Sequence, residues 1–195
     1  MSCTLNGNGY NNHSLPFLAF ILFIMSSSLK YLSAYSTEIT DKIQTMLDAD
    51  TLKTFLINKY PTPHSIYNDK ALREYTMDIK NQYLKKSNPL SQIKYDDKIH
   101  VINNALGLHT YVSRVQGSKL KSKNELRVGS MFKVAPEPFL NMIVVHELAH
   151  LKEKDHNKAF YKLCEHMLPN YHQLEFELRV YLTQLELKGP IYQNS

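Results

Sequence analysis

Tryptophan is absent from this 195-residue chain, and cysteine occurs only at Cys3 and Cys164. Two cysteines so far apart form no CxxC pair, which excludes the cysteine-based zinc sites. They also cannot build a disulfide framework, so a reducing compartment is the matching expectation. Cys164 lies in an apolar-patterned segment and reads as a small core residue rather than a nucleophile. No internal repeat or low-complexity tract interrupts the domain.

Long hydrophobic runs are also lacking. The apolar run PFLAFILFIM, from Pro16 to Met25, is shorter than the roughly 20 residues that cross a bilayer. It has the length of a signal-peptide core, but no Lys or Arg precedes Lys30, and signal peptides normally begin with positive charge. Residues 1–24 are therefore expected to be an extension outside the domain, with Met25 as a natural start for a cytoplasmic domain over 25–195. Export by a weak N-terminal signal is the alternative.

The remaining composition is that of a folded protein. Hydrophobic residues make up 43% and charged residues 21%, close to globular averages, and the length suits one domain. The net charge of +5 favours anionic partners: phosphates, nucleic acid or acidic surfaces. The oligomeric state is not written in the sequence.

From Ser36 to Asn58, Ile39, Ile43, Met46, Leu47, Phe55 and Leu56 recur at helical spacing, and Pro61 and Pro63 end the segment. A second helix is expected over 69–86, with Leu72, Tyr75, Ile79 and Tyr83 as its buried stripe. KIHVI, HTYVSRVQ and NELRVGSMFKV are short and rich in β-branched residues, which predicts a small antiparallel sheet between about 94 and 134. APEPF then opens a helix expected over 136–152, with its prolines in the first turn. Two more helices are expected over 157–168 and 171–187, separated by Pro169. The fold class is α+β, with helices at both ends and strands between.

The strongest chemical signal is VVHELAHLKEKDH. His146 and His150, four apart on a helix, emerge on one face about one turn apart. Both imidazoles can then reach one zinc ion, or another divalent metal, at about 2.0–2.1 Å. Glu147, beside the first of them, can take the proton of a water whose pKa zinc lowers to about 7. A catalytic zinc takes three protein ligands and keeps one open position. His156 is the best third ligand, and His166 and His172 are the substitutes. On an unbroken helix His156 would point about 240° away from His150, so the helix must stop near Lys152 to Lys154. Asp155 or Asn157 can cap the next helix.

The motif names a mechanism and not a substrate. Peptide hydrolysis is the leading expectation, with Glu147 passing its proton on to the leaving amine. The alternative is a phosphoanhydride such as a nucleoside triphosphate. Between residues 114 and 133 the chain holds Arg114, Lys119, Lys121, Lys123, Arg127 and Lys133 against one acid, Glu125. Arg114, Lys119, Lys121 and Arg127 are the candidate substrate contacts, although an exposed strand with alternating lysines reads the same way. A third reading is a DNA- or protein-binding module with a structural zinc. Such sites usually fill all four positions with protein ligands, often cysteine.

IVVHELAHLKEKDHNKAFYKLC, KIHVINNALGLHTYVSRVQGSKLKSKNELRV and APEPFLNM together resemble the YgjP-like metallopeptidases, across nearly all of the chain from Leu29 to Leu187. The resemblance implies a zincin-like α+β fold, a zinc ligand set of His146, His150 and His156, and a general base at Glu147. Two places depart from the family pattern. Gln116-Gly117-Ser118 stands where many members have Trp-Gly-Ser, and Phe160-Tyr161 where they have Phe-Trp. Glu153 replaces the Gly that metzincins carry, so the chain is not one of those.

Overall fold

The computed structural model describes residues 29–99, 107–116 and 119–192, with side chains outside 107–123. The extension over 1–24 and most of KIHVI lie outside the described residues. Among those described, six α-helices accompany a three-stranded sheet: α1 (Thr37–Asp48), α2 (Leu52–Lys59), α3 (Asp69–Tyr83), β1 (Leu90–Asp96), β2 (Gly107–Gln116), β3 (Lys119–Gly129), α4 (Glu137–Ala149), α5 (Lys158–Met167) and α6 (Tyr171–Lys188). No described helix is long and apolar enough to cross a membrane.

The α+β class is as expected, and the sheet differs in one respect. A meander would have put β2 in the middle, with every pair antiparallel. Instead the order is β1-β3-β2: β2 and β3 pair antiparallel, and β1 joins the other edge of β3 parallel. β3 takes the centre because it carries the core-facing alternation, with Asn124, Leu126 and Val128 all buried. Arg127 fastens the parallel edge, donating to Asp96 of β1 at 3.2 Å and to Glu125 at 2.9 Å. Asp69, in the first turn of α3, accepts from the Tyr95 amide at 2.9 Å and so aligns β1 with that helix.

Three local expectations are corrected. The helical pattern from Ser36 to Asn58 is two helices, broken where Asp50 takes a φ of 55°, a left-handed conformation that no helix interior accepts. Phe55 falls one place off the Leu52–Leu56 stripe of short α2 and stays 49% exposed. The last expected strand turns into a 3₁₀ segment at Ser130–Val134, because burying Phe132 takes the chain out of the sheet and towards α4.

α4 is the axis of the domain. Pro136 precedes it in extended geometry, and Glu137 and Pro138 fill its first turn, where an acid suits the helix dipole and a missing N–H costs nothing. It is buried almost all round, from Phe139 to Ala149, and touches α3, α5, α6, β2 and β3. The Phe139 ring lies 4.7 Å from that of Tyr60 and 5.2 Å from that of Tyr181. Lys59, Tyr60 and Gln173 all donate to the buried Glu177 carboxylate of α6. Burial works against that charge, but these donors hold the carboxyl below its usual range.

Phe139→Ala removes the ring on which α2, α4 and α6 meet. The expected loss is about 3–5 kcal/mol of folding free energy. Urea unfolding with chelator in both samples checks it, and a loss below about 1 kcal/mol would contradict this packing.

Candidate metal centre

The apolar lead-in Met142–Val145 buries α4, and the two histidines of the motif come next, where the helix reaches the edge of the core. Ala149 is the last residue of α4 and His150 is its cap, still in right-handed helical geometry. The helix expected over 136–152 therefore ends three residues early. The amides of Lys152 and Glu153 both bond to the Ala149 carbonyl at 3.0 Å, which closes the turn. Asn157 then caps α5, its side chain accepting from the Phe160 amide at 2.9 Å. Between those two caps the chain folds back and carries His156 over the end of α4.

The three imidazoles form a nearly equilateral triangle. Ring centroids are 5.1 Å apart for His146–His150, 4.9 Å for His146–His156 and 4.9 Å for His150–His156. One donor nitrogen from each lies within 4.8 Å of the others. Nε2 of His146 and Nε2 of His156 are 3.0 Å apart. Two nitrogens bound tetrahedrally to one zinc-sized ion would be about 3.3 Å apart, so the donors are already close to ligand spacing. Beneath the triangle lies fully buried Phe160, 4.7–5.0 Å from each ring. Its apolar face keeps water from the underside.

The protonation states suit a cation. His150 Nδ1 lies 2.9 Å from the Glu153 carbonyl, which can only accept, so the ring proton sits there and Nε2 carries a lone pair. His146 Nδ1 lies 2.6 Å from the Tyr171 hydroxyl. Burial, then the neighbouring rings of His150 and His156, then the Arg179 guanidinium push the His146 imidazole down to about 3. Burial also lowers His150, partly opposed by its bond to the Glu153 carbonyl. Neutral imidazoles converging on one point are what a divalent ion requires. Glu147, next to His146 on the same helix, is 3% exposed.

The other histidines lie elsewhere. His166 is exposed and packs its edge against Tyr83 at 5.7 Å, and exposed His172 faces Glu165 and Glu175. Neither belongs to the three-histidine group. Arg127, a candidate substrate contact, has its charge taken up by Asp96 and Glu125. Arg114 of β2 is the register partner of Lys121 of β3, and Lys119 pairs with Gln116. Sequence reasoning misses Phe160 as the floor and Tyr171 as the partner of His146. Nothing in an isolated Phe or Tyr signals such a role, and Tyr171 reaches the site only through the packing of α6 on α4.

Replacing His150 or His156 by Ala should weaken binding of a divalent ion by more than the roughly 10–100-fold that loss of an outer partner costs. Metal content after dialysis checks this. Undiminished loading of His156→Ala would remove that residue from the group.

The profile of the "YgjP-like, metallopeptidase domain" family matches residues 36–181. The chain is 57% identical over 161 residues to the UTP pyrophosphatase of Escherichia coli (strain K12), a match covering 83% of this chain and 96% of that protein. No solved structure matches. With three imidazoles converging at the end of its central helix, the chain belongs to the YgjP-like metallopeptidase-domain family and is an enzyme of the hydrolase class.

Proposed function

We propose that this protein is a zinc-dependent nucleoside triphosphate pyrophosphohydrolase, acting on UTP. The observation that carries the substrate is the 57% identity to a UTP pyrophosphatase across almost its whole length. The metal centre is consistent with it, because a phosphoanhydride and a peptide bond are both electrophiles open to an activated water. A cytoplasmic setting matches such a substrate.

His146, His150 and His156 would hold the ion, and three imidazoles are a donor set that suits zinc. When bound, the ion supplies positive charge that acidifies water and offsets charge building on phosphoryl oxygens. Glu147 accepts the proton of the attacking water. The water oxygen bonds to the α-phosphorus, the bond from that phosphorus to the bridging oxygen breaks, and pyrophosphate leaves with the electron pair. Phe160, fully buried, packs its ring against all three imidazoles and closes the apolar side of the group. Arg114, Lys119 and Lys121, on strands that form the flank of α4, are the proposed phosphate contacts.

The test is pyrophosphate release from UTP by the full chain loaded with zinc, beside Glu147→Gln. The variant should keep its metal and lose about 10²–10⁴-fold in rate. Full activity in the variant would remove Glu147 from the mechanism. Cleavage of an unfolded protein with no release from UTP would replace this reading by the peptidase chemistry that the family description names.

A further inference from the structure

His146 Nε2 faces His156, and its Nδ1 faces the Tyr171 hydroxyl at 2.6 Å. Tyr171 is the first residue of α6 and is fully buried. Its hydroxyl also neighbours the Cys164 thiol on α5, which is fully buried as well. Three helices thus contribute one side chain each to a short chain of polar groups that ends in the core.

Counting protons decides how this chain runs. A neutral imidazole has one N–H, and a phenol has one O–H. If Tyr171 donated to Nδ1, the ring proton would have to sit on Nε2 and would point at His156, where an ion must bind. If Nδ1–H donates to Tyr171 instead, Nε2 keeps its lone pair, but the phenol hydrogen then needs an acceptor within the core. The neighbouring Cys164 sulfur is the acceptor this arrangement offers.

We propose that Tyr171 is the positioning residue of His146: its hydroxyl accepts the Nδ1 proton, and Cys164 draws the phenol hydrogen away, so that Nε2 presents its lone pair to the ion. A metal-bound histidine generally gives its second nitrogen to a carboxylate, carbonyl or water, and this arrangement sets tautomer and ring orientation. His150 follows that habit with the Glu153 carbonyl. His146 uses a buried phenol in the same place. The inference rests on the three-histidine group holding a divalent ion and is independent of which substrate is cleaved.

Zinc affinity of the full chain, measured by competition with a chelator and scaled to folded protein by circular dichroism, tests it. Tyr171→Phe should weaken binding about 10–100-fold with its helix content intact. A merely structural tyrosine would lower thermal stability and leave the affinity of the folded fraction within about threefold of wild type, and that result would overturn the proposal. Should Tyr171→Phe fail to fold, the imidazole ¹⁵N spectrum of the zinc-loaded wild type decides. A protonated Nδ1 and a metal-shifted Nε2 on His146 support the assignment, and a metal-shifted Nδ1 refutes it. Wild type that takes up no zinc would remove the metal reading underneath, a different failure from unchanged affinity in the variant.

Discussion

The 3.0 Å approach of His156 to His146 joins residues ten apart in sequence, and it exists because α4 stops at Ala149. One more turn of helix would carry His156 round to the far side and up along the axis. The turn is held by amides that bond back to the Ala149 carbonyl and by the Asn157 cap. His150 joins in directly, since its Nδ1–H bonds to the Glu153 carbonyl inside the same turn. One hydrogen bond therefore shapes the loop and fixes the tautomer of a proposed ligand. The backbone path and the donor set cannot be altered separately.

The second constraint is that α4 belongs wholly to the core. Helices that carry a site at a surface are usually buried on one stripe. This one is enclosed by α3, α5, α6 and two strands. The imidazoles consequently emerge from a rigid support, with an aromatic floor below and low local polarity around them. Low polarity keeps His146 neutral at ordinary pH, as its depressed pKa expresses. The same chemistry can serve a peptide or a phosphoanhydride. What would separate the two lies in the strands that flank the helix, where the proposed phosphate contacts are found.

Much of the centre was legible in the sequence, because spacing on a helix is a geometric statement. His146 and His150 at four residues had to share a face, and a polar stretch before His156 had to contain a turn. β2 and β3 were legible from β-branched residues around Gly117. β1 was not: LSQIKYD mixes Lys, Gln and Asp into its alternation, and its pairing partner is fixed only by the order of the finished sheet. The buried face of α3 runs through Leu72, Thr76 and Lys80, whereas the apolar pattern pointed to a stripe shared with Tyr75, Ile79 and Tyr83. Polar residues with long or small side chains can be buried without signalling it. Phe160 and Tyr171 meet His146 across helix interfaces, and contacts of that kind leave no period to read.

The three imidazoles are graded in their access to solvent. His156, on the turn, is exposed, while His146 and His150 are half-buried against Phe160. An ion arriving from solution would meet His156 first and complete its shell inward, and departure would run in reverse. The turn after α4 would thus be the door through which a bound ion is exchanged. For such a bound ion, exchange would proceed by local opening of that loop, at a pace unrelated to the global stability of the fold. A chelator could then strip the centre from a protein that remains entirely folded.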